Sequence, residues 1–414
     1  MNKIYKGQYY FYLECYTYFK LTDNKVLLLN VIDNQKIISS DKKIVVLIER
    51  LSSKKNSVLK VDLDNEYKDN VYKTFFKEVR DKFMGDLIDI GLSKGEPVNF
   101  YPIAKIEDNV RKIDRDTPLD FNLLCNSIFI LNFFLNSVCV HNCTHCKDYY
   151  KQLNCCSKIT TNNDQQSIEI EIIEKIFKHA KFENLKRINF LGGDISLYQD
   201  LDRVISCLSD YREICRVYFK YNNIQSINEK ILSFFGNRIS IIVDAEEIDH
   251  NDVVRLIHDY HQFEIHIVLT DELQIEKIMP LINSSISYKV FPFYNEKNIS
   301  FIENNVFLSE KDIFEPNYTI KKIHRNQHMN TFFFGNLTLL PDGNVCIDVN
   351  GSSLGDLHSE SIFDIISKAL KYEDSLWFKT RDTTDCSDCL FVDLCPPISN
   401  YEFAINKSHL CNIK

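Results

Sequence analysis

The sequence predicts an α/β protein built on a parallel sheet, open or curled into a partial barrel, with a small unit before it and a cysteine-rich tail behind. Three observations predict this. Residues 125–295 alternate strand and helix six times, which is the signature of parallel strands joined by helical crossovers. Residues 1–95 mix short strands and helices and are followed by a stretch punctuated by Pro97, Pro102 and Pro118, as linkers are. The last 85 or so residues lose regular patterning but keep clustered cysteines. At 414 residues the chain has room for two or three domains. The expected boundaries are 1–95, a linker over 96–124, 125–325 and 326–414.

In chain order, Tyr9–Leu13 and Val26–Val31 read as strands separated by the turn residues Thr22-Asp23-Asn24. Val45, Val46, Ile48 and Leu51 predict a helix over 41–52 with Ser40 or Asp41 as its N-cap. A strand near Val58–Leu63 and a helix over 66–83 complete the unit. The strands of the large sheet are Ile128–Leu135, Arg187–Leu191, Val217–Tyr221, Ile239–Val243, Glu264–Leu269 and Tyr288–Phe293. Between them Ile172, Ile173, Ile176, Phe177 and Ala180 mark one helix, and Val253, Val254 and Ile257 another. The tail offers one clear helix, near Ile362–Tyr372. In such folds ligands sit beyond the carboxyl ends of the strands.

Composition narrows the function. A content of 44% hydrophobic and 26% charged residues is that of a globular protein. The most apolar stretch, Ile128–Val140, is broken by Asn132, Asn136 and Ser137, so no membrane span is expected. The first residues lack the apolar core of a secretory signal, which predicts a cytoplasmic protein. Net charge is −9, with residues 1–95 near +4 and the remainder near −13; no broad basic field suits nucleic acid. Fourteen cysteines in a reducing compartment point to metal or redox chemistry rather than disulfides. Glycine is scarce, 11 residues in all, so a Gly-Gly pair at a strand end carries weight.

The first predicted sheet strand runs into Cys139-Val140-His141-Asn142-Cys143-Thr144-His145-Cys146, spaced Cys-x3-Cys-x2-Cys. Three thiolates on a tight loop can cap three irons of a [4Fe–4S] cube and leave the fourth open, as a catalytic metal requires. The same spacing suits zinc with His141 or His145 as fourth ligand, but the position, at the carboxyl end of the first strand of a β/α array, favours the cluster. The second strand ends in Gly192-Gly193-Asp194, where missing Cβ atoms permit close backbone approach. The third ends Lys220-Tyr221-Asn222-Asn223, and Asp244 ends the fourth.

On these residues the chain resembles the radical S-adenosylmethionine (SAM) superfamily, whose Cys-x3-Cys-x2-Cys loop follows strand one of a partial (β/α)6 barrel. The resemblance implies a SAM-binding [4Fe–4S] cluster on Cys139, Cys143 and Cys146, and reductive cleavage of SAM to a 5′-deoxyadenosyl radical. It also implies that Gly192, Gly193 and Asp194 hold the methionyl end of SAM, that Asn222 contacts the cofactor, and that Asp244 reaches its ribose. His145 stands where the family usually has an aromatic residue, and Asp194-Ile195 where it has Glu-Pro.

The tail carries Cys386, Cys389 and Cys395, spaced Cys-x2-Cys-x5-Cys, then Cys411. By spacing alone these four thiolates form a closed set for zinc or one cluster. They resemble the SPASM domain of peptide-modifying radical SAM enzymes, which implies one auxiliary [4Fe–4S] cluster here. The second auxiliary cluster of that domain lacks its ligands, since Ser399 occupies one position and Cys346 stands alone near His324 and His328. Cys155 and Cys156 are left without a role. The N-terminal unit resembles the winged-helix-like element with which maturases of ribosomal peptides bind a precursor's leader. The resemblance thus implies a radical SAM/SPASM enzyme acting on a ribosomal precursor peptide, by thioether or carbon–carbon crosslinking or epimerisation. It would draw electrons from a donor such as flavodoxin or ferredoxin. A degenerate, non-catalytic peptide-binding partner, a sulfatase-maturase-like formylglycine generator and a zinc-stabilised regulator are the competing readings.

Overall fold

The computed structural model describes residues 6–54, 56–95, 118–141, 143, 146, 149–156, 166–372 and 374–413. Most of the expected linker, residues 96–117, lies outside them; its described end holds a helix, Phe121–Asn126.

The N-terminal unit contains two antiparallel three-stranded sheets. Strands β1 (Gln8–Leu13), β5 (Val58–Asp62) and β6 (Gly85–Asp89) form one, in the order β5-β1-β6. Strands β2 (Thr17–Leu21), β3 (Val26–Asn30) and β4 (Lys36–Ser39) form the other, with β3 central. Helices α1 (Lys42–Ser52) and α2 (Asn70–Asp81) start at Asp41 and Asp69, whose carboxylates accept the backbone N–H of Lys43 and Val71, N-caps of the usual kind. Phe11 meets Phe76 edge-on at 4.8 Å in the shared core. Every residue of β3 is buried because both faces are covered: Val26 and Leu28 join the N-terminal core, while Leu27 and Leu29 pack with Tyr18 against Ile313, Tyr318, Leu390 and Leu394. The small unit is thereby fastened to the tail, and the Tyr18 hydroxyl donates to the buried Asp393 carboxylate at 2.7 Å.

The large sheet has nine strands in the order β12-β11-β10-β9-β8-β7-β13-β14-β15. The six expected strands are β7 (Ile130–Phe134), β8 (Arg187–Leu191), β9 (Cys215–Lys220), β10 (Ile239–Asp244), β11 (Glu264–Leu269) and β12 (Tyr288–Pro292), all parallel. The tail extends this sheet: β13 (Asn336–Leu339) pairs parallel to β7, and β14 (Asn344–Cys346) and β15 (Gly355–Asp356) follow antiparallel. Helix Ile320–His328 spans the boundary expected at residue 325. Trp377, fully buried, donates its indole N–H to the Asn336 carbonyl and so ties the tail to β13.

Alternate residues of β7–β12 face opposite ways. Leu131, Phe133, Ile188, Phe190, Val217, Ile241, Ile265 and Ile267 join the core beneath the helices. Side chains from β7, β8, β9, β11 and β12 on the other face line one cavity, so the sheet curls around it. Among the described residues, no helix is long and apolar enough to cross a membrane.

Candidate functional site

The cysteine loop leaves the carboxyl end of β7 and is clamped there by the turn after β8. The Val138 carbonyl accepts the Asp194 N–H at 2.7 Å; Asn136 Nδ2 donates to the Asp194 carbonyl at 3.1 Å and Asn136 Oδ1 accepts the Val138 N–H at 2.9 Å. Both glycines have positive φ, +93° at Gly192 and +58° at Gly193. A Cβ at Gly193 would strike the Val138 carbonyl, and one at Gly192 would lie 2.6 Å from the Asn136 carbonyl oxygen. The pair is glycine because two backbones touch, and the backbone approached is the root of the cysteine loop.

Asp194 is buried. Its Oδ1 accepts the Ser196 N–H and hydroxyl at 3.0 and 2.6 Å, and its Oδ2 accepts Asn223 Nδ2 at 3.3 Å. Asn223 in turn accepts a hydrogen bond from His141 Nε2. The network therefore runs Ser196–Asp194–Asn223–His141 and ends inside the cysteine loop. Asn222, the asparagine chosen from the sequence, is exposed on the same 3₁₀ turn, and its neighbour Asn223 points inward. Asp244 ends β10 half-buried, with its carboxylate on the Glu246 N–H.

Lys220, at the end of β9, was not singled out in the sequence. Its ammonium is buried, donates to Cys143 Sγ at 3.1 Å and pairs with Glu247 at 2.6 Å. Burial alone would depress its pKa, but the Glu247 carboxylate and the Cys143 sulfur outweigh it and hold the pKa above the ordinary lysine value. The Cys146 thiol as partner, and then burial, hold the Cys143 thiol high; Lys220 pulls against both. Cys156 is buried beside Cys155, and its thiol is raised by burial and then by Cys155, Cys146, Cys143 and Cys139. The unassigned pair thus lies against the first cysteine triad.

In the tail, Cys386, Cys389 and Cys411 all bear on Cys395, which burial pushes up to about 12. Cys411 is held by the pairing of its segment with Leu308. Arg381 reaches the same neighbourhood, paired with Glu402 at 2.5 Å and donating to the Pro396 carbonyl. Cys346 is buried, its thiol turned to the Thr338 carbonyl. His324 and His328 lie ring to ring at 4.5 Å on one helix.

Among the described residues no group of three or more His, Cys, Asp and Glu side chains is drawn together tightly enough to grip a metal ion as it stands. The fit to an iron–sulfur group is one of donor type and placement. Thiols are the ligands such groups take; Cys146 bears on Cys143, and Cys386, Cys389 and Cys411 bear on Cys395, while the buried Lys220 ammonium favours a charged sulfur at Cys143.

No protein-family model matches the chain, and no curated protein does. Among solved structures it is similar to SuiB of Streptococcus suis bound to S-adenosylmethionine, with 12% identity over 98% of this chain and 99% of that one and a TM-score of 0.44. It is similar to SuiB bound to the precursor peptide SuiA at 11% identity, the same coverage and a TM-score of 0.42. A third, native anSMEcpe with bound AdoMet, aligns with 68% of this chain and 95% of its own at 11% identity and a TM-score of 0.32. All three scores lie below 0.5.

Proposed function

We propose that the chain is a radical SAM peptide maturase. One observation carries the reading: a Cys-x3-Cys-x2-Cys loop stands at the carboxyl end of the first strand of a curled parallel sheet, clamped by the Gly-Gly-Asp turn of the next strand. Cys139, Cys143 and Cys146 are the ligands of a [4Fe–4S] cluster, which with SAM supplies a hydrogen-abstracting 5′-deoxyadenosyl radical. Asp194 and Asn223 fix the loop that faces the cofactor; Gly192 and Gly193 let that loop close on the cysteine loop; Asp244 stands at the next strand end but one. Lys220, held by Glu247, keeps a positive charge on Cys143. Cys386, Cys389, Cys395 and Cys411 are the ligands of an auxiliary cluster. The N-terminal unit receives a ribosomal precursor peptide, and a flavodoxin or ferredoxin supplies electrons.

The test is anaerobic reconstitution. About eight irons per chain are expected, two cubes, with 5′-deoxyadenosine formed on adding dithionite and SAM. Replacing Cys139, Cys143 and Cys146 by Ala halves the iron and abolishes SAM cleavage. Zinc with a colourless protein, or cleavage that survives the triple replacement, overturns the reading.

A further inference from the structure

The cavity inside the curled sheet measures about 350 Å³, room for one or two amino-acid residues. One wall, Lys151–Asn154, follows the cysteine loop directly, and the tail closes another through Asp348 and Tyr401. At the end away from the cysteine loop, where the strands begin, Arg187, Arg216 and Lys289 converge from β8, β9 and β12. Among the described residues one carboxylate pairs with them: Glu264 takes Arg216 at 3.2 Å and Lys289 at 3.0 Å, and the His266 Nε2–H at 2.9 Å. The Arg187 guanidinium has no hydrogen-bonded or ion-paired carboxylate among the described residues.

A second observation points the same way. His266, 5% exposed, lines this cavity with its Nδ1 buried and without a hydrogen-bond partner among the described residues. A buried polar atom left unpaired costs about 1–3 kcal/mol, and native structures seldom carry that cost without a partner to supply. Burial holds the imidazole pKa below its ordinary value, so at neutral pH the ring keeps one proton; with that proton on Nε2 for Glu264, Nδ1 is an acceptor. The site therefore offers a cluster of cations for an anion and, beside it, an acceptor for an N–H or O–H. A residue of a peptide carrying a carboxylate and its own amide N–H matches both.

We infer that the strand-start end of this cavity is a carboxylate subsite that anchors an acidic side chain of the peptide substrate through Arg187, with Arg216 and Lys289 supporting and His266 Nδ1 accepting a substrate N–H. The inference rests on the peptide-maturase reading for the identity of the ligand. From Arg187 to Leu191 the strand rises about 13 Å, the span of roughly four extended residues. The anchor therefore lies about that far from the strand ends that carry the cysteine loop.

The experiment is calorimetric titration of the full-length protein, which needs neither cluster nor SAM. The probes are acetyl-Ala-Glu-Ala-amide, the same peptide with Gln, and the Gln peptide with a free carboxyl terminus. The Glu peptide is expected to bind at least tenfold tighter than its Gln counterpart. Arg187→Met is expected to weaken it at least fivefold and Arg187→Lys to restore most of that loss. His266 is expected to shift its imidazole resonances on binding, a signal identified by its absence in His266→Gln. Equal affinity for Glu and Gln, or an unchanged affinity in Arg187→Met with a native circular dichroism spectrum, overturns the inference. Tighter binding of the free-carboxyl peptide than of the Glu peptide overturns the side-chain assignment and names a carboxyl terminus instead. Failure of SAM cleavage after reconstitution, with Glu-selective binding intact, removes the maturase reading and leaves the subsite standing.

Discussion

Replacing Gly193 by Ala tests how the cysteine loop is held. An L-residue at positive φ costs about 1–2 kcal/mol. The added methyl would also collide with the Val138 carbonyl, Asn136 Oδ1 at 2.7 Å and the Val138 carbonyl carbon at 2.8 Å. Two of these atoms are backbone, so relief requires the two loops to part. That loses the Asp194 N–H to Val138 bond, about 1 kcal/mol, and adds an overpacking cost of about 1–3 kcal/mol. Gly236 is the control: its φ is +54° and, among the described residues, nothing lies within 4 Å of its Cβ position, so Gly236→Ala carries backbone strain alone. Native-state hydrogen exchange at the Asp194 amide reads the difference. Gly193→Ala is expected to exceed Gly236→Ala by about 2–4 kcal/mol, a drop in protection of roughly 30- to 700-fold. Equal effects of the two replacements refute the clamp.

Three further outcomes are expected. Tyr18→Phe leaves the buried Asp393 carboxylate one donor short and lowers stability by about 1–2 kcal/mol, read as an earlier thermal transition of the N-terminal unit. Arg381→Met strands the buried Glu402 at a cost of about 3–5 kcal/mol, and adding Glu402→Met recovers a large part of it; denaturant midpoints check both. Burial alone would raise the Glu264 pKa, but the His266 and Lys289 donors bring it down to about 2. Its folded pKa lies below its unfolded value, so its stabilisation is complete above about 4.5 and is lost as pH falls toward 2. In acid titrations Glu264→Gln is expected to flatten stability across that window.

The six parallel strands were legible because their core-facing residues are unbroken apolar stretches bounded by turns; Arg187–Leu191 and Glu264–Leu269 match residue for residue. The small strands were not. Asn336–Leu339 has only four residues and enters a strand through β7, a partner about two hundred residues away, so no local pattern marks it. Lys36–Ser39 likewise owes its pairing to β3. The cysteine loop and glycine pair were visible as spacing, but Asn222 and Asn223 could not be told apart, since a 3₁₀ turn rather than a simple bend decides which faces inward. The polar interior leaves its own trace in the sequence. Arg216, Tyr218 and Lys220 recur every second residue in an apolar strand, as do Glu264 and His266, and a two-residue rhythm of polar side chains marks one face of a strand as lining something other than core.

The tail's pairing through β13 with the very strand that leads into the cysteine loop means that the tail cannot be cut away as a module. A chain ended before residue 330 would expose the backbone edge of β7, an invitation to adhesion between molecules. It would also strip Asp348 and Tyr401 from the wall of the inner chamber. The last fifth of the protein supports the strand that carries Cys139, Cys143 and Cys146 even if every cysteine within that fifth is replaced.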